Sequence, residues 1–184
     1  MNRRTFVKTA ALGGAVSAVL PQTGLLAEPL SRPDAKNTPV IVHTWDFKLP
    51  VIKKGLNVFE YGGRALDVVE QSIGVVEEDP SVTSVGRGGF PDRDGHLTLD
   101  ACIMDSNGNA GSVMALEHIM HPISVARRVM EKTPHVILVG EGALQFAIEQ
   151  GFPKEELLTD GAKKAYAEWL KESQYKPPVG KDRK

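Results

Sequence analysis

The residues best able to do chemistry are five histidines, one cysteine, a glycine-rich run and a few aromatic and acidic side chains. His118 and His121 are three apart, while His43, His96 and His135 are scattered. A zinc site needs three or four converging ligands. Pro122 favours a helix start directly after His121, so the pair straddles a turn and shares no helical face. No metal site is expected. The run Gly86-Arg-Gly-Gly89 lacks the Gly-Lys-Ser/Thr of a phosphate loop, and Pro91 blocks a helix at Phe90. It reads as a tight turn. No Gly-x-Ser-x-Gly elbow is present. Cys102, between Ala101 and Ile103, reads as a small buried hydrophobe in a strand. Asp100 and Asp105 flank that strand, and Asp100 points away from the side of its neighbours. It either orients a loop or is simply a strand-end carboxylate. Trp45 and Phe47 follow a short β-like run at the end where ligands meet α/β sheets. They either line a pocket or close the edge of the core. The residues themselves supply no nucleophile, no metal and no cofactor site.

The elements that must position these groups follow from pattern. Val40–Trp45 reads as a strand, by its β-branched residues after Pro39. Helices are expected over Pro50–Tyr61, stopped by Gly62-Gly63, and over Ala65–Glu78, stopped by Pro80. Residues 79–96 are rich in Gly, Pro and Asp and read as a long loop. Strands Leu97–Met104 and Ala110–Leu116 are joined by Asp105-Ser-Asn-Gly-Asn109, which suits a hairpin. A helix over Pro122–Lys132, a strand over Val136–Val139 and helices over Glu141–Gln150 and Asp160–Ser173 complete the order. A hairpin amid helices predicts an α/β protein of the α+β type, with a mixed sheet covered by helices. About four strands is a small sheet for so many helices, which suggests a missing half.

The chain has 184 residues, room for one modest domain. Its 22 basic and 23 acidic residues nearly balance, which argues against a nucleic-acid grip built on basic excess. One cysteine excludes an internal disulfide framework. No apolar run reaches the roughly 18 residues of a membrane span. Residues 1–27 combine Arg3-Arg4, an apolar stretch from Thr9 to Leu20 and a small residue at Ala27. They read as a twin-arginine-like export signal, which implies a periplasmic protein with no membrane attachment once the signal is removed. Residues 28–38 read as a mobile arm, 39–174 as the folded domain, and 175–184, with Pro177-Pro178, as a linker-like tail.

Several stretches together resemble the α-chain of the glycosylasparaginases. They are Thr44-Trp45-Asp46-Phe47; Gly62-Gly63-Arg-Ala65-Leu66-Asp67-Val-Val-Glu70; Ser84-Val-Gly86-Arg-Gly88-Gly89; and Pro91-Asp92-Arg-Asp-Gly95. The likeness continues through Thr98–Asp105, Gly111-Ser-Val113, Pro122–Arg127, Val129–His135 and Leu138-Val-Gly140. The resemblance implies an N-terminal-nucleophile hydrolase whose precursor folds as an αββα sandwich and cuts itself before a threonine. This chain would supply half of that sandwich. The threonine, on the β-chain, would attack the amide joining asparagine to N-acetylglucosamine, with its own α-amine as base and no metal or organic cofactor. The resemblance makes Trp45 and Phe47 substrate-binding residues and the β-chain the partner, in an (αβ)2 assembly.

The family's His-Asp-Thr stretch is not among these residues, so no catalytic residue is assigned here. The chain alone is expected to be inactive, as a truncated reading frame, a split one or a partial sequence of a longer protein would be. A catalytically silent remnant or binding fragment is one alternative. A plant-type asparaginase or isoaspartyl peptidase is another; His43-Thr-Trp45, where that group has a His-Gly-Gly type motif, speaks against it.

Overall fold

The computed structural model describes residues 39–45 and 48–173. The expected signal at 1–27, the arm at 28–38, Phe47 and the tail at 175–184 lie outside the described residues.

Five α-helices and three strands are present among the described residues: α1 (Lys48–Glu60), α2 (Ala65–Glu78), β1 (Leu99–Met104), β2 (Ala110–Leu116), α3 (Pro122–Lys132), β3 (Ile137–Val139), α4 (Gly140–Glu149) and α5 (Asp160–Glu172). The glycine run forms a short 3-10 turn, Gly86–Gly88. Local signals explain the sharpest boundaries. At the start of α2 the Arg64 backbone N–H donates to the Asp67 carboxylate at 2.9 Å, closing one half of a capping box. Pro122 occupies the first turn of α3, where a missing N–H costs nothing.

The sheet order is β1-β2-β3, with β1 and β2 antiparallel and β2 and β3 parallel. In the hairpin turn the Asp105 carboxylate accepts the backbone N–H groups of Asn107 and Asn109, each at 2.9 Å. Strand β2 breaks strict alternation. Leu99 pairs with Leu116 but Ala101 pairs with Val113, so β2 carries an extra residue opposite Asp100. Ala115 takes up the slack in the left-handed region at φ 49. The extra residue shifts the phase, so Val113 and Leu116, three apart, both point into the core.

Among the described residues the packing lies on one side of the sheet. Ile103, Val113 and Leu116 meet Ile123, Ala126 and Val129 of α3 and Ala143, Leu144 and Ala147 of α4. Helix α3 comes so close that a Cβ on Gly111 would stand 2.1 Å from the Ala126 carbonyl oxygen. Helix α2 packs on α3, and α1 on α2. The opposite side of the sheet is bare among the described residues. Met104 is 67% exposed, Met114 45%, Ile137 45% and Val139 56%. Across this side Cys102 faces Ser112, Ser112 faces Ile137, and Met114 faces Val139, while Met104 lies opposite Ala110.

Two expectations are corrected here. Val40–Trp45 forms no strand. Ile41 leans on α1 at Gly55, Val40 and Val42 are exposed, and no described strand offers the stretch a ladder partner. A strand exists only by pairing, so β-branched residues without a neighbour stay irregular. Cys102 is exposed and not buried. It alternates onto the bare side, where nothing described covers it. Smaller differences are of one or two residues: β1 starts at Leu99, β3 at Ile137, and α1 already at Lys48.

Candidate functional site

The two clearest polar constructions both sit where α2 meets α3. In the first, Arg127 of α3, its side chain only 13% exposed, gathers three carboxylates. Its Nη1 reaches Asp67 at 2.7 Å and Glu70 at 2.5 Å, and its Nε donates to Glu131 at 2.8 Å. Burial works against the guanidinium charge, but the hydrogen bonds to Glu131, Asp67 and Glu70 more than offset it and raise the Arg127 pKa. Asp67 is lowered from 3.8 to about 2, chiefly by the hydrogen bond from the Arg64 backbone and next by the Arg64 side chain. This cluster ties two helices together. All four acceptor and donor groups are spoken for by one another, so it reads as structure and not as chemistry.

In the second, Glu77 is almost wholly buried, its side chain 3% exposed. Its Oε1 accepts the Ile123 backbone N–H at 3.1 Å, capping α3 from a neighbouring helix. Its Oε2 lies 3.1 Å from His121 Nδ1. Burial pushes the Glu77 carboxyl up, and the hydrogen bond to Glu77 pushes the His121 imidazole up.

The residues singled out from sequence are dispersed. Trp45 is 71% exposed and precedes α1. His43, beside it, points Nδ1 at the Trp45 carbonyl. His118 adopts φ 63 and faces the Glu155 carbonyl at 3.3 Å. His96 approaches Glu117 at 3.6 Å. The glycine run is a tight turn as read. A Cβ on Gly86 would fall 2.0 Å from the Glu77 carbonyl oxygen, so only glycine lets the loop close over α2. Arg87 in that turn pairs with Glu155 at 3.1 Å. Asp100 holds strand backbone and orients no loop: its Oδ1 accepts the N–H of Ala115, at the bulge of β2, at 2.8 Å.

Glu77 and Arg127 were missed as site-building residues. Both left a trace. Glu77 lies four residues after Ile73, on the face that packs against the core. A carboxylate at such a position requires a partner. Arg127, Asp67 and Glu70 all fall within the stretches that carry the family resemblance.

A mixed sheet with helices packed on one side and, among the described residues, an uncovered apolar face on the other defines a mixed α/β domain. Comparison with known proteins gives the class its family. The family described as asparaginase matches residues 30–182. The chain is 53% identical over 178 residues to the N(4)-(β-N-acetylglucosaminyl)-L-asparaginase of Elizabethkingia miricola, covering 97% of this chain and 52% of that relative. It is 40% identical over 147 residues to the Mus musculus protein of the same name, covering 79% of this chain and 42% of the relative. A plant-type L-asparaginase of Pyrococcus abyssi is 45% identical over 118 residues, covering 64% of this chain and 38% of the relative. The chain belongs to the asparaginase family of N-terminal-nucleophile hydrolases and is of its glycosylasparaginase type. It spans about half the length of the curated relatives that it matches.

Proposed function

We propose that this chain is the α-portion of an amidohydrolase that cleaves the amide between asparagine and N-acetylglucosamine in glycosylasparagine. The observation that carries the reading is how far each kind of relative reaches. The relatives named for glycosylasparagine match 97% and 79% of the chain, while the isoaspartyl peptidases and plant-type asparaginases match 56–66%. The bare apolar side of the sheet supports it. Such a face suits a second sheet, brought by a β-portion, which would complete an αββα sandwich.

The reaction follows from the family's nucleophile. A threonine hydroxyl is a weak nucleophile until a neighbouring group takes its proton, and the α-amine of the same residue is placed to do so. The oxygen attacks the side-chain carbonyl, and the glycosylamine leaves with a proton. The resulting aspartyl ester is then opened by water, which frees aspartate and restores the hydroxyl. Both steps gain from holding the reacting groups together. In this reading Trp45 and Phe47 wall the substrate site from the α side, two αβ pairs form the complete enzyme, and residues 1–27 direct export through a twin-arginine route to the periplasm.

Producing the chain with and without a family β-portion that begins at the threonine tests the reading. Expected are no turnover of an aspartyl-glycosylamide by the chain alone and turnover by the pair. In the pair, Trp45→Ala is expected to lower kcat/KM by about 1–3 kcal/mol, the loss of an aromatic contact. An active pair that cleaves β-aspartyl peptides or free asparagine and spares the glycosylamide would favour the plant-type reading.

A further inference from the structure

The Glu77–His121 contact carries more than a helix cap. Both ring nitrogens of His121 face carboxylates: Nδ1 lies 3.1 Å from Glu77 and Nε2 3.2 Å from Glu78. A neutral imidazole has one N–H, so one lone pair would then point at an anion. With Glu77 ionised, only the imidazolium satisfies both sides. Glu77 cannot turn to water, because it is buried and also holds the Ile123 N–H. Glu78 is largely exposed and free to rotate.

We propose that Glu77 and His121 form a proton-sensitive latch between the last turn of α2 and the first turn of α3, closed while Glu77 is ionised and His121 protonated, and loosened when the imidazole loses its proton. The surroundings favour the closed form. His121 lies in an open cleft of about 410 Å3 that Glu70 and Glu78 of α2 line with it, and Glu155, from the segment after α4, adds a further attraction. Against these stand Lys54 of α1, which also lines the cleft, and Arg87, which is paired to Glu155; Glu70 is itself paired to Arg127.

The direction follows from linkage. The His121 pKa is raised on folding by its hydrogen bond to Glu77, so its contribution is complete below the ordinary histidine value and is lost as pH rises through the raised one. Glu77 does not relieve that loss: once the imidazole is neutral, the carboxylate remains a buried anion with no cation beside it. Loosening reaches the neighbouring loop as well, because Gly86 packs directly on the Glu77 backbone.

Hydrogen–deuterium exchange of the full chain, read by mass spectrometry between about pH 5.5 and about pH 8.5 and corrected for intrinsic rates, tests the latch. The expected result is a several-fold extra loss of protection over residues 121–126 at the alkaline end. His121→Gln should remove that dependence, and His96→Gln, an exposed control, should keep it. A flat parent profile, or the parent slope persisting in His121→Gln, would overturn the proposal. Should His121→Gln fail to fold, the parent decides through exchange of the carbon-bound ring proton of His121. An apparent pKa above the ordinary histidine range supports the latch, and one at or below it defeats it.

Discussion

The two faces of the three-stranded sheet are built from alternating residues of the same strands, yet they meet different surroundings. On the helix side Val113 and Leu116 have no exposed surface, and α3 approaches Gly111 at backbone distance. On the other side Met104, Met114, Ile137 and Val139 are exposed with nothing described above them. The covered face shows what the chain can close for itself: a core of sheet, α3 and α4, clamped from behind by Arg127 and Glu77. The bare face holds large apolar side chains, each of which stabilises a fold by roughly 1.5–3 kcal/mol only when buried. Domain stability is about 5–15 kcal/mol, so one face left open is a large fraction of the whole.

The comparison is broken most directly along β2. Leu116→Ala should cost about 2–5 kcal/mol in denaturant unfolding, through lost transfer energy and the cavity left behind. Met114→Lys, two residues earlier, should stay within about 0.5 kcal/mol in the chain alone and reduce its binding of hydrophobic dyes. In the chain paired with a β-portion the ranking should change, because Met114→Lys then puts a charge between two sheets. Equal costs for the two substitutions in the unpaired chain would mean that the bare face is already covered there.

The clamps behind the covered face are expected to matter less. Arg127→Ala leaves Asp67, Glu70 and Glu131 close together without their cation. The groups keep some exposure, so the loss should be about 1–3 kcal/mol and not the larger figure for a fully buried pair. Asp67 adds a pH signature. Its pKa is lowered on folding from 3.8 to about 2, so its contribution is present above the unfolded value and is lost as pH falls through the folded one. Unfolding midpoints of Asp67→Asn should therefore be lower than the parent's near neutrality and converge with it as the pH approaches 2. A constant gap down to that pH would show that the carboxylate charge does not act there.

How much of this was legible depends on whether the signal is local. Ala65–Glu78, Ala110–Leu116 and Pro122–Lys132 were readable to their ends, because Pro80, the Asp105–Asn109 turn and Pro122 punctuate the chain within one turn of each boundary. Val40–Trp45 was not, because a strand needs a neighbour that no local pattern supplies. The Glu77 contact joins residues 44 apart, so nothing near Glu77 in sequence announces His121. Trp45 and Phe47 entered through their place after an expected strand, which does not form, and through family resemblance. Among described residues Trp45 is exposed ahead of α1, and the role proposed for it would need a β-portion beside it.

The bulge in β2 offers the finest test of the two faces, since it sets which residues turn inward. Two weak forces hold it: the Asp100 carboxylate on the Ala115 N–H, and the tolerance of Ala115 for φ 49. Asp100→Ala removes the acceptor, but Ala115 is exposed and water can replace it, so the loss should be about 0.5–1 kcal/mol. Asp100→Asn keeps an acceptor oxygen and should recover most of it. Ala115→Gly relieves a left-handed alanine, worth about 1–2 kcal/mol, and gives back part of that through the freer unfolded chain. A net gain of roughly 0.5 kcal/mol is expected, with the melting temperature rising slightly. If Ala115→Gly destabilises the chain instead, the left-handed turn is not what admits the extra residue. The inward pairing of Val113 with Leu116 would then rest on the helices packed over them and not on the strand itself.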